Sequence, residues 1–95
     1  MTNMEQRALA NPPTLPLVVA EWNRNASEVI RVALDQFNGR HTINVRVLYR
    51  DGGSLKPGKS GITLSLSHLP PLAAAMGKAL AAARELGLIT DELGL

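Results

Sequence analysis

Asn38-Gly39 is the stretch that most restricts what this chain can become. A two-residue type I′ hairpin turn needs positive φ at both central positions, which asparagine and glycine tolerate, and an alternating run stands on either side of the pair. Glu28 to Phe37 precedes it and Arg40 to Arg50 follows, so a long antiparallel ribbon is predicted as the spine. On the first arm Ile30, Val32 and Leu34 share one parity, and Arg31, Asp35 and Phe37 share the other. On the second arm Ile43, Val45 and Val47 alternate with Arg40, Thr42, Asn44 and Arg46. Because strand side chains alternate between faces, one side of the ribbon is apolar and the other polar and arginine-bearing.

The segments around this ribbon are short. Residues 1–16 contain Asn11-Pro12-Pro13 and Pro16, show no period and are read as a flexible N-terminal arm. Leu17-Val18-Val19-Ala20-Glu21-Trp22 has the β-branched content of a strand, with Asn23-Arg24-Asn25 as the turn into the ribbon. Trp22 has two readings, packing at the sheet edge or a part in binding. Asp51-Gly52-Gly53 marks a further turn. In Lys56-Pro57-Gly58-Lys59 the central pair fits a type II turn, which would bring the two lysines within about 7 Å of each other. Gly61 to Ser65 then reads as a short strand with Ile62 and Leu64 toward the core.

The last element is a helix. Leu69, Leu72, Ala73, Met76, Leu80, Ala83 and Leu86 recur at spacings of three and four, a stripe suited to covering one face of a sheet. Ser65 or Ser67 is the expected cap, Pro70 and Pro71 fit only the first turn, and Gly87 is a natural stop. Ala74, Gly77, Ala81 and Ala82 on its other side would admit a second helix in a two-fold dimer, or serve simply as helix formers. The domain is therefore read as residues 17–89, with residues 90–95 as a C-terminal tail.

Composition narrows the chemistry. With 95 residues and no cysteine, the chain is one small domain without disulfides or thiolate metal sites. A monomer of this size buries only about 60–65% of the surface its unfolded chain exposes, so a partner is one way to complete its core. No run approaches the roughly 18 apolar residues of a membrane span and no leader pattern is evident, so a soluble, cytoplasmic protein is expected. Residues 24–59 hold seven basic groups against three acids, a local excess of four on the presumed sheet. That balance fits either a polyanionic partner or an ordinary solvated surface.

Catalytic constellations do not assemble. Gly53 to Ser60 matches the phosphate-loop pattern G-x-x-x-x-G-K-[ST] by letter, but that loop works by running from a strand into a helix, and here Ile62-Thr63-Leu64 is a β-type run. His41, on the core-side parity, and His68, at the helix start, lack partners at metal-ligand spacing. Ser67-His68 has no third group to orient a base. No enzyme activity, cofactor or metal is expected. What remains is a set of basic and aromatic residues on the ribbon: Arg31, Phe37, Arg40, Arg46, Tyr49, Arg50, Lys56 and Lys59. Single-strand binders use positive charge to follow the phosphates and aromatic rings to stack bases. Tyr49 has the parity of Ile43 and Val45, so joining Arg46 on the polar face would require a bulge or coil in the strand.

Phe37-x-Gly39-Arg40, Ile43-x-Val45-Arg46-x-x-Tyr49, Leu55-Lys56-Pro57-Gly58-Lys59-x-Gly61-Ile62-Thr63-Leu64 and the closing amphipathic helix together resemble the transcriptional coactivator family of positive cofactor four, including its bacterial and phage relatives. The resemblance spans about residues 28–86. It implies an α+β fold, a four-stranded antiparallel β-sheet followed by one C-terminal α-helix, dimeric, with neighbouring channels for single-stranded DNA running in opposite directions. It implies that Phe37 and Tyr49 stack bases, Tyr49 in place of a common tryptophan, and that Arg40, Arg46, Lys56 and Lys59 contact phosphates. Ser60 stands where the family usually has a second basic residue, and residues 1–16 lack the serine-rich run of eukaryotic members. The expected function is a homodimeric, sequence-tolerant single-stranded DNA-binding protein in transcription, replication or repair, nucleoid-associated, with the transcription machinery as a candidate partner. Two alternatives stand beside it: single-stranded RNA binding, and a protein-interaction module that docks a polymerase or regulator.

Overall fold

The computed structural model describes residues 14–90. The readings of residues 1–13 as part of an arm and of residues 91–95 as a tail lie outside the described residues. Four strands form one antiparallel sheet in sequential order: β1 (Leu17–Asn23), β2 (Glu28–Phe37), β3 (Arg40–Asp51) and β4 (Ser54–Ser65). A single 3₁₀ turn (Leu66–His68) leads into helix α1 (Leu69–Glu85).

The ribbon forms where the turn chemistry places it. Asn38 and Gly39 adopt φ of 53° and 77°, the positive pair that a type I′ turn demands. From that turn the register runs without interruption from Phe37 opposite Arg40 to Glu28 opposite Tyr49. Ile30, Val32 and Leu34 therefore meet Val47, Val45 and Ile43 on one face, while Arg31, Ala33 and Asp35 meet Arg46, Asn44 and Thr42 on the other. Asn25 shapes the β1–β2 connection, its side-chain oxygen accepting the Ser27 backbone N–H at 2.9 Å.

β4 departs from the sequence expectation. Pro57-Gly58 does not make a type II turn, and the strand is not confined to Gly61–Ser65: it runs for twelve residues from Ser54. Gly58 lacks the positive φ that such a turn requires. Its missing side chain serves a close approach instead, because a Cβ there would stand 2.8 Å from the Val47 carbonyl oxygen. Opposite this point the β3–β4 register shifts, Arg46 pairing with Gly61 and Leu48 with Pro57, so β4 carries two more residues than β3 between those pairs.

The helix also differs from expectation in how it packs. Neither serine caps it; His68 holds the N-cap position with no side-chain hydrogen bond. Its prolines occupy the first turn and Gly87, at φ 71°, closes the far end, as the sequence predicts. None of its residues is buried, and the apolar stripe does not seal the sheet. Between them lies a groove of about 410 Å³ lined by Trp22, Ile30, Val32, Val45, Leu72 and Met76. Ile62 and Leu64 share this side, yet half of Ile62 stays exposed. The buried apolar residues are few, and contrary to a purely polar second face three of them, Val29, Ala33 and Leu48, share the parity of Arg31 and Arg46, while Ile43 lies on the helix side.

Candidate nucleic-acid interface

The strand pleat sorts the candidate residues into three groups. On the polar face, a groove of about 340 Å³ is lined by Arg31 and Arg46 together with Ala33, Asn44, Leu48 and Leu55. Arg50 belongs to the same face by parity and reaches across β2, donating from Nη2 to Asn23 Oδ1 at 2.7 Å. Three arginines thus share this face, Arg31 and Arg46 side by side in the groove and Arg50 four residues further along β3.

Arg31 and Arg46 are directly opposite in register but make different bonds. Arg31 Nε donates to Glu21 Oε2 on β1, its own cross-strand neighbour, so its charge is matched inside the protein. Arg46 Nη2 donates to Thr63 Oγ1 on β4 at 3.1 Å. The Thr63 hydroxyl in turn donates to Asn44 Oδ1, directly across the β3–β4 ladder. Gly61 lies beneath this arrangement: a Cβ there would come 3.0 Å from Arg46 Nη1 and 2.7 Å from the Val45 carbonyl oxygen.

The second group is at the hairpin tip. Phe37 and Arg40 face each other beside the Asn38-Gly39 turn, and Phe37 leaves 69% of its surface exposed. Within the protomer this ring takes no part in the core. Arg40 has no carboxylate within ion-pair distance among the described residues.

The third group is at the other end of the ribbon. Tyr49 pairs with Lys56, its ring beside Gly58, and Lys56 Nζ lies 3.2 Å from Asp51 Oδ2. The β2–β3 register has no bulge, so Tyr49 keeps the parity of Val45 and Val47, opposite to that of Arg46. The irregularity falls on β4 instead, where Lys59 lies in the extra stretch that also holds Gly58 and Ser60. Phe37 and Tyr49 stand at opposite ends of the ten-residue β2, about 30 Å apart at 3.3 Å per residue. By parity they lie on opposite faces of the sheet, Phe37 on that of Arg31 and Arg46 and Tyr49 on the helix side, so they do not share one stacking pocket.

Sequence reasoning missed Glu21, Asn23, Asn44 and Thr63 as partners of the binding candidates. Their signal was alternation alone: each shares the parity of a groove arginine. His41 is exposed opposite Gln36 rather than taken into a core, and the phosphate-loop-like segment runs from the turn residue Gly53 into β4 with no helix directly after it.

An antiparallel sheet with a helix toward one face and an open, arginine-lined groove on the other defines an α+β protein whose sheet surface is left free for an extended ligand. Comparison with known proteins sharpens that class. The chain belongs to the Transcriptional Coactivator p15 (PC4) family, whose model matches residues 24–75, more than half of it. An RNA polymerase II transcriptional coactivator of Drosophila melanogaster is 44% identical over 36 residues, which cover 38% of this chain and 33% of that relative. The matched segment thus spans about a third of the relative's length.

Solved structures agree on the fold. A PC4 homolog from Burkholderia pseudomallei superposes with a TM-score of 0.60 at 27% identity, covering 74% of this chain and 92% of that one. A MoSub1–DNA complex matches with a TM-score of 0.55 at 31% identity, covering 72% and 84% respectively. The bacteriophage T5 homolog of the coactivator, at 20% identity and a TM-score of 0.61, covers 86% of this chain and 99% of its own and shares the fold.

Proposed function

We propose that this chain is a homodimeric single-stranded DNA-binding protein with little sequence preference, acting in the cytoplasm in transcription regulation or at duplexes opened for replication and repair. The observation that carries the reading is the open groove lined by Arg31 and Arg46, with Arg50 further along the same face and an exposed phenylalanine at the ribbon's tip. A row of cations suits a flexible polyanion, and a ring in water suits an unpaired base. Structural neighbours solved as complexes with DNA and with single-stranded DNA support it.

In this reading Arg40, Arg46, Lys56 and Lys59 meet phosphates, Arg31 and Arg50 add to the field along the groove, and Phe37 and Tyr49 stack bases. No covalent step is assigned to any residue. The homodimer rests on a separate observation, the unsealed apolar groove between sheet and helix. A second copy's apolar helix face would remove it from water.

Fluorescence anisotropy with a labelled single-stranded oligonucleotide at two or more salt concentrations tests the binding. Four phosphate contacts at about 0.7 each predict a slope of log K against log salt near −3. Retention of DNA affinity in the presence of excess duplex is expected, whereas equal competition by single-stranded RNA would widen the ligand class because stacking does not read the 2′-hydroxyl. Absence of binding at low salt would leave the protein-interaction reading in its place.

A further inference from the structure

The candidate cations of the sheet are held in two different ways. Arg31 and Lys56 meet carboxylates, those of Glu21 and Asp51. Arg46 and Arg50 meet neutral oxygens, the Thr63 hydroxyl and the Asn23 amide. The distinction matters for a phosphate ligand. A carboxylate fixes a cation's position but also competes for it, whereas a neutral acceptor fixes the position and leaves the charge available.

Arg46 has the more elaborate support. Its guanidinium lies against the bare backbone of Gly61, where any side chain would crowd Nη1. One N–H from Nη2 goes to Thr63 Oγ1, and the Thr63 hydrogen is committed to Asn44 Oδ1. That commitment turns the lone pairs of the threonine oxygen toward the arginine. A guanidinium has five N–H donors, so one bond to Thr63 leaves four for a phosphate and the planar fork intact. Fixing the long side chain beforehand removes an ordering cost that would otherwise be subtracted from affinity.

We propose that Thr63 and Asn44 are positioning residues which hold the Arg46 guanidinium over Gly61, undiminished in charge and aligned for a phosphate of the bound strand. The proposal rests on the single-stranded DNA reading and assigns to Thr63 and Asn44 no direct contact with the nucleic acid. Thr63 acts through Arg46, so its effect vanishes when Arg46 is gone.

A double-mutant cycle tests this. Binding of a labelled oligo(dT) is measured for the wild type, Thr63→Val, Arg46→Ala and the double variant, with Thr63→Ser and Asn44→Ala alongside and a thermal melt of each. Thr63→Val is expected to weaken binding about threefold to tenfold, the range for one lost hydrogen bond, without lowering the melting temperature. Thr63→Ser is expected to restore it, and Asn44→Ala to weaken it by a smaller factor. In the Arg46→Ala background Thr63→Val is expected to be silent. Wild-type affinity in both Thr63→Val and Asn44→Ala overturns the proposal, as does a Thr63→Val loss that persists undiminished without Arg46. A silent Arg46→Ala overturns it while leaving single-stranded DNA binding intact; failure of the wild type itself to bind removes the underlying reading.

Discussion

Arg31 and Arg46 occupy directly opposed positions on β2 and β3, and each is tied to the strand on its own outer flank: Arg31 to Glu21 on β1, Arg46 to Thr63 on β4. Like charges opposite each other destabilise an antiparallel pair, and these outward ties give each guanidinium a partner away from the other. The arrangement also splits their roles, since one charge is matched within the protein and the other is not. Four predictions follow from this and the neighbouring geometry.

Glu21→Gln is expected to strengthen single-stranded DNA binding. The substitution frees Arg31 for a phosphate and steepens the salt slope by about 0.7, one further contact. Both side chains are about one-third exposed, so solvent screening limits the loss of stability to under about 1 kcal/mol. Anisotropy titrations across salt, paired with thermal melts, check both parts; weaker binding by the variant would mean that Glu21 supports the groove rather than competes with the ligand.

Phe37→Ala and Tyr49→Ala are each expected to weaken binding by about 1–3 kcal/mol, the measured range for one base–aromatic stack. Because the rings stand at opposite ends of β2, the two losses should add. Titration of both single variants and the double variant settles this. A short oligonucleotide reaching only one end should feel only one substitution.

Gly58→Ala is expected to destabilise the fold rather than alter the ligand contacts. The added methyl would meet the Val47 carbonyl at 2.8 Å, and a backbone atom cannot swing aside as a side chain can. Overpacking of this kind costs about 1–3 kcal/mol, which in a domain of this size lowers the melting temperature by at least about 5 °C. Differential scanning calorimetry provides the measurement.

Met76→Lys addresses assembly. Met76 lines the apolar groove and is 61% exposed in the single protomer. For an isolated protomer the change is nearly neutral; in a dimer that buries this groove it places an unpaired charge in an apolar interface. Sedimentation equilibrium is expected to show a wild-type dimer and a variant shifted toward monomer. Equal masses would move the interface elsewhere.

Much of the architecture is legible along the chain because it depends on neighbours. Asn38-Gly39 selects its turn from two residues' own φ preferences, and the alternation on either side follows at once. Pro57-Gly58 shows the limit of such local reading. Its residue types are those of a type II turn, yet the segment runs extended because β3 supplies a ladder and a carbonyl against which only glycine fits. The helical stripe was equally readable, but not its failure to seal the sheet, since a stripe states what must be buried and never against which surface.

The candidate site divides along the same line. Local residue types and parity determined which side chains are cationic, which are aromatic and that Arg31 and Arg46 share a face. Which acceptor each cation meets was decided only by tertiary structure. Glu21 is ten residues from Arg31, Thr63 seventeen from Arg46 and nineteen from Asn44. At those separations the pairing is set by strand register and by the two extra residues in β4, and a shift of one position would send every one of these side chains to the opposite face.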